Sequence, residues 1–144
     1  MNEIRYGLAW SKDYELGCGQ VDSQHRRLFE LVSELVSACM DGRDTHALRE
    51  TLDFLVKYTI QHFTDEEALQ LSCNYPGYER HKQIHEEFKA TVGELVREFD
   101  QYGSTIELSN SVNKTVVKWL VRHIQREDKR IGDHINRFGN ASSA

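Results

Sequence analysis

The sequence predicts an all-α protein: an up-down-up-down antiparallel four-helix bundle with an N-terminal arm and a short C-terminal tail. Three observations carry this reading. Apolar residues recur at alternating intervals of three and four along four long segments, the narrow seam that bundle helices use. Runs with the alternate-residue period of strands are scarce. The single proline, Pro76, is followed by Gly77 and falls between two periodic segments, where it breaks no helix.

Residues 1–21 lack helical period and form the arm, with Tyr6 and Trp10 as large anchors lying across the bundle; Gly17 and Gly19 keep the approach to the first helix flexible. The first helix starts near Asp22, a good N-cap, carries the stripe His25, Leu28, Val32, Leu35 and Cys39, and stops at Asp41-Gly42. The second starts at Asp44 or Thr45, with the stripe Leu48, Leu52, Leu55, Thr59, His62, Glu66 and Leu69. The third starts near Tyr78, with His81, His85, Phe88, Val92, Leu95 and Phe99, and ends before Gly103. The fourth starts near Ser104 or Thr105, with Leu108, Val112, Val116, Trp119 and His123. Short connections force neighbouring helices to run antiparallel. Ile131, Ile135 and Phe138 suggest a short packed tail, and Asn140 to Ala144 are expected to fray. The reading is one domain over residues 1–144: arm 1–21, bundle 22–131, tail 132–144.

The chain has 144 residues, enough for one domain with a proper core, and its 39% hydrophobic content marks it as globular. A net charge of −5, with acids and bases interspersed, leaves no basic stripe for a nucleic-acid backbone. No apolar run approaches the ~20 residues of a membrane span, and the opening MNEIRYGLAW lacks a secretory apolar block. Cys18, Cys39 and Cys73 are odd in number without C-x-x-C spacing, so they read as free thiols in a reducing cytoplasm.

The chemistry concentrates between His62 and His85. His62 pairs with Glu66, and His81 with His85, each at a spacing of four that puts both members on one helix face. The turn at Pro76-Gly77 makes the two pairs face each other. His25 and His123 also fall on core stripes, so five imidazoles and a carboxylate interrupt the apolar seams, with every helix contributing. Burying one polar group without a partner costs roughly a few kcal/mol, and six would exceed the ~5–15 kcal/mol stability of an ordinary domain. They must satisfy one another, and metal coordination does that. Their heights agree: at 1.5 Å per residue, His25, His81 and His85 near the starts of two helices lie level with His62, Glu66 and His123, about 18 residues into two that run the other way. Two metal ions also need a second carboxylate for bridging and charge balance. Glu127, four residues after His123, is favoured by period; Asp128, five after it, needs a widened, π-type turn.

Trp10, VDSQH ending at His25, HFTDEE from His62, YPGYERHKQIH ending at His85 and WLVRHIQRED ending at Asp128 together resemble the hemerythrins, the single-domain bacterial ones in particular. The likeness spans nearly the whole chain. Members of that family are established examples of this bundle, so the resemblance and the fold are not independent readings. The resemblance decides for Asp128 over Glu127. It implies a non-haem centre of two iron ions with a water-derived oxygen bridge: His81, His85 and His123 on one iron, His25 and His62 on the other, Glu66 and Asp128 bridging. It implies an open position on the second iron where dioxygen binds reversibly, for carriage, storage or delivery and not for catalysis. Phe63, Trp119, Leu120 and Ile124 would line the dioxygen side. Where the family commonly has methionine after its EE-x-L segment, this chain has Gln70, which either points to solvent or brings water or a hydrogen bond to the site.

Imidazole and carboxylate without thiolate suit iron but also zinc or copper. The histidine-rich set favours reversible binding, because neutral imidazoles stabilise high oxidation states less than the Glu-x-x-His sets of di-iron oxidases do. The alternatives are a dioxygen or redox sensor acting through a partner, a di-iron peroxidase or oxidase hinted at by Gln70, and a zinc-stabilised bundle. The expected protein is a cytoplasmic monomer whose partners are dioxygen and a protein acceptor of it. His46 and His134 match no motif and are expected at the surface.

Overall fold

The seams fold as predicted rods. The structure, a computed structural model, describes residues 10–41 and 45–138. The expectations for Tyr6, for Gly42 and Asp44, and for Asn140 to Ala144 lie outside the described residues. Three helices, α1 (Gly19–Met40), α2 (Thr45–Ser72) and α3 (Tyr78–Tyr102), are followed by a fourth rod over residues 106–138. That rod alternates between α and π geometry: α4 (Ile106–Ser111), a π segment Val112–Val117, α5 (Lys118–His123), a second π segment Ile124–Asp128, and α6 (Lys129–Phe138). The four rods run up-down-up-down. Among the described residues there is no strand, and no helix is long and apolar enough to cross a membrane.

Local chemistry sets the turns. α2 ends where Asn74 takes the left-handed conformation (φ 56°), a position asparagine tolerates, and the Tyr75 N–H closes the helix on the Gln70 carbonyl at 2.9 Å. α4 is capped by Thr105, whose hydroxyl accepts from the Leu108 N–H at 2.9 Å. Below the histidine level the core is apolar: Leu28, Val32 and Leu35 from α1 meet Leu48, Leu52 and Leu55 from α2, Phe88, Leu95 and Phe99 from α3, and Leu108, Val112 and Val116 from the fourth rod.

Three sequence expectations are corrected. α1 begins at Gly19, ahead of Asp22. Asp22 is not its N-cap; its carboxylate reaches back and accepts from the N–H groups of Leu16 (2.7 Å) and Gly17 (3.1 Å), pinning the arm to the helix. Gly17, at φ +90°, makes the turn between them. The residues assigned to a separate tail continue the fourth rod as α6, and Phe138 is 70% exposed instead of packed. His134 is half-buried, its Nε2 donating to the Cys73 carbonyl at 2.8 Å and so tying α6 to the end of α2. His46 is exposed.

The arm is held by aromatic packing, with Trp10 edge-on to Phe29 (5.2 Å) and Tyr14 tilted against the same ring (5.0 Å). Buried Leu16 lies against Gly132 of α6. A Cβ on Gly132 would sit 2.7 Å from the Leu16 carbonyl oxygen, whereas one on Gly93 of α3 meets only the far end of Arg97 at 3.9 Å. Gly132→Ala is therefore expected to lower stability by about 1–3 kcal/mol. Gly93→Ala should raise it by roughly 0.5–1 kcal/mol, the ordinary helix-interior gain. Urea denaturation of the two variants checks this, and equal effects would contradict close packing of the arm.

Candidate metal centre

Each rod delivers its polar residues to one level. α1 brings His25, α2 His62 and Glu66, α3 His81 and His85, and the fourth rod His123 and Asp128; all seven are between 0 and 5% exposed. Asp128 reaches that level because the π segment Ile124–Asp128 widens the turn after His123. Glu127, the period-favoured rival, points outward and forms a two-pronged ion pair with Arg80, one arm at 3.1 Å.

The two carboxylates divide their oxygens between two groups of imidazoles. Glu66 Oε1 lies 3.0 Å from His81 Nε2 and 3.1 Å from His85 Nε2, while its Oε2 lies 3.2 Å from His25 Nε2 and 3.4 Å from His62 Nε2. Asp128 Oδ1 lies 3.0 Å from both His81 Nε2 and His123 Nε2, and its Oδ2 3.0 Å from His25 Nε2. The donors thus form two lobes, one with His81, His85 and His123, the other with His25 and His62; Glu66 belongs to both, and Asp128, seated in the first, reaches the second at His25. These side chains fall into groups whose ligand atoms lie within 4.8 Å of one another, close enough to hold a metal ion.

The donor geometry fits cations better than hydrogen bonds. Two ligand atoms at right angles and ~2.1 Å from one ion lie about 3.0 Å apart, the spacing seen here. His81 Nε2 and His123 Nε2 stand 3.1 Å apart, which sets two lone pairs against each other when both neutral rings carry their proton on Nδ1. Among the described residues, buried His85 Nε2 and Asp128 Oδ1 lie 3.0–3.1 Å from their neighbours without hydrogen-bond geometry, and such atoms cost about 1–3 kcal/mol each when left unsatisfied.

Ring planes are fixed from outside. Phe63 stacks on His85 at 3.7 Å with 2° between planes, and Trp119 stacks on His123 at 4.3 Å and 11°. Trp119 also stacks on Phe88 at 3.8 Å. Phe63, Trp119 and Leu120 line a cavity of about 30 Å³ that extends toward Leu35 and Leu95; it borders the rings stacked on His85 and His123, while the seven ligand-capable residues lie outside its lining. Ile124 is fully buried in the same core but outside that lining. Gln70 is completely buried, which removes the solvent-facing option, and neither of its amide atoms has a partner among the described residues.

Two residues escaped the sequence reading. Gln24 Oε1 accepts from His62 Nδ1 at 2.7 Å, and Glu67 Oε2 from His85 Nδ1 at 2.9 Å. Each adjoins a stripe residue in sequence, so helical period assigns it to a different face. Only the lateral approach of a neighbouring helix brings it to a ring.

Burial opposes charge on His25, yet hydrogen bonds and charges from Asp128 and Glu66 outweigh it and push its pKa up to about 10. The same balance raises His81 to about 9. Burial lowers His62. Burial would raise Glu66 and Asp128, but the surrounding imidazoles hold both carboxyls below their usual range. In the metal-free protein the raised histidines contribute stability that is complete below their ordinary 6.5 and is lost as pH climbs through about 9 and about 10. The depressed acids contribute above their ordinary 4.5 and 3.8 and lose that contribution on acidification. Lowered His62 adds to the acid-side loss below 6.5. The thermal midpoint of metal-free protein should peak between roughly pH 5 and 7 and fall on both sides. A divalent metal, taking the place of those protons, should remove the alkaline fall. Melting curves with and without metal check this, and a metal-free profile flat to pH 10 would contradict it.

The family model Hemerythrin HHE cation binding domain matches residues 18–135. A bacteriohemerythrin of Stenotrophomonas maltophilia is 33% identical over 135 residues, covering 91% of this chain and 86% of the relative. A myohemerythrin of Theromyzon tessulatum is 32% identical over 126 residues, covering 88% and 92%. A crystal structure of a hemerythrin point mutant superposes with a TM-score of 0.80 at 23% identity, over 92% of this chain and 97% of the other, a likeness of fold. With a buried layer of histidines and shared carboxylates on a four-helix bundle, and a family match over most of its length, this chain belongs to the hemerythrin HHE cation binding domain family.

Proposed function

We propose that the seven side chains hold two iron ions and that the protein binds dioxygen reversibly beside them. The observation that carries this reading is the division of Glu66 and Asp128, one oxygen of each facing either lobe, which suits a bridged pair of cations. His81, His85 and His123 would complete one lobe, and His25 and His62 the other, leaving the two-histidine lobe short of one ligand. The chemistry supplied when a ferrous pair is bound there is reversible two-electron exchange with dioxygen.

The protein's own residues would do the rest. Glu66 and Asp128 balance cationic charge inside a layer that water does not reach. Phe63 and Trp119 hold two imidazole planes by stacking, so the donor atoms stay aimed while the ligand comes and goes. The adjoining cavity of about 30 Å³ has one polar side chain on its wall, Thr59, whose hydroxyl is engaged with the Leu55 carbonyl at 2.8 Å. A space without free polar partners stays dry, and it suits a small apolar gas. Excluding water there slows loss of the bound gas as a reduced product. The three unpaired thiols suit a reducing cytoplasm.

One observation keeps a second reading, a di-iron oxidase or peroxidase. Gln70 is one turn beyond Glu66 and fully buried, with its amide unpartnered among the described residues. A buried amide retains water or a proton donor near the site, which favours oxidation over release.

Reducing the iron-loaded protein, admitting dioxygen and then evacuating it is expected to give a visible absorption band that appears and disappears with the gas. A band that never forms, or irreversible oxidation with turnover of reductant, would reject carriage. His81→Ala should remove at least half of the bound iron; unchanged iron content would refute the ligand assignment. Gln70→Met should slow autoxidation several-fold, and an unchanged rate would remove the support for the second reading.

A further inference from the structure

Of the five clustered imidazoles, three have no partner on their outer nitrogen among the described residues: Nδ1 of His25, His81 and His123 is buried and unbonded there. The other two each have one, and they belong to different lobes. In the three-histidine lobe, His85 Nδ1 meets the Glu67 carboxylate at 2.9 Å. In the two-histidine lobe, His62 Nδ1 meets the Gln24 amide oxygen at 2.7 Å. Both partners accept, so both rings carry the proton on Nδ1 and present the Nε2 lone pair inward. The Gln24 orientation is not arbitrary. Its Nε2 donates to Asp65 Oδ2 at 2.8 Å, which turns the amide oxygen toward His62, and Asp65 Oδ1 is occupied by Gln61 Nε2 at 2.8 Å.

The partners differ in charge, and that difference has a consequence. A carboxylate behind a ligating imidazole raises its donor strength and fixes its orientation; an amide fixes orientation without adding charge. We propose that Glu67 acts through His85 as a positioning residue that makes the three-histidine lobe the tight metal position, while Gln24 orients His62 without adding charge, so that the two-histidine lobe is the weaker and the last to fill. The inference rests on the metal-centre reading above. It assigns the protein an order of metal loading: the lobe with the full donor set is occupied first and anchors the site, and the lobe that is one ligand short, where dioxygen is proposed to bind, is loaded second.

Ligand number alone would also rank the lobes in this order, so the test isolates the outer partner. Metal-free protein is titrated with cobalt(II), followed by calorimetry and by the visible cobalt spectrum, for wild type, Glu67→Gln and Gln24→Ala. Wild type should take up two equivalents in resolved steps. Glu67→Gln, which replaces the carboxylate by an amide of the same shape, should weaken the first step about 10- to 100-fold, shift the cobalt bands of that step, and leave the second unchanged. Gln24→Ala should weaken the second step and spare the first. Glu67 is 15% exposed and Gln24 is partly buried, so the metal-free melting temperature should hold within a few degrees in both variants. Equal weakening of both steps, or none, in Glu67→Gln overturns the proposal while leaving a two-metal centre intact. Fewer than two equivalents in wild type overturns the metal-centre reading and this inference with it.

Discussion

Two carboxylates enclosed by five imidazoles, in a layer with almost no exposure, are the constraint on which the rest of this structure depends. Such a layer is intolerable in a plain helical core, because each group would lose its hydration without repayment. It becomes tolerable when every inward nitrogen and oxygen has a positive partner. Protons supply part of this in the bare chain, as the raised His25 and His81 and the depressed Glu66 and Asp128 indicate. They do not satisfy all of it, since among the described residues His85 Nε2 and Asp128 Oδ1 approach their neighbours without hydrogen-bond geometry. The family to which the chain belongs is defined by cation binding, and the arithmetic of the layer points the same way.

The fourth rod shows how the backbone is adapted to that layer. A regular α-helix would aim Glu127 inward after His123 and turn Asp128 aside. The π segment inserts the extra residue that reverses this, so Asp128 joins the layer and Glu127 is freed to pair with Arg80 at the surface. Beneath the layer, Phe63 stacks on His85, Phe88 and Trp119 stack in turn on His123, and the two stacks meet where Phe63 stands edge-on to Phe88. The same rings that fill the core also lock two ligand planes, which is why the apolar and polar halves of the bundle are a single mechanical unit. The small cavity beside these rings has an almost wholly apolar wall, on which Thr59 supplies a hydroxyl already engaged with its own helix.

Much of this was legible beforehand because helical period is a local property. The seams of His25, His62, Glu66, His81, His85 and His123 place those residues inward whatever else the chain does, and the lone Pro76 with Gly77 places the turn between α2 and α3. Asp128 was not decidable by period, which favours Glu127; resemblance to a family supplied it, and the π geometry gives the physical reason. The start of α1 was misplaced because Asp22 looks like a cap, yet its carboxylate serves the arm behind it. The tail was separated from the fourth helix because a π segment shifts the apolar register, and a break in register reads as a break in the helix.

What sequence alone determined was therefore whatever depends on residue type and spacing along one helix: the fold class, the number of rods and the inward set of ligand-capable residues. What the tertiary structure decided was everything that depends on approach between helices: the sharing of each carboxylate between two lobes, the aromatic stacking, the burial of Gln70, and the pairing of Gln24 with His62 and Glu67 with His85. The reason is geometric. Spacing fixes the direction in which a side chain leaves its own helix, but its partner is set by the separation and rotation of a second helix, and no single segment encodes those.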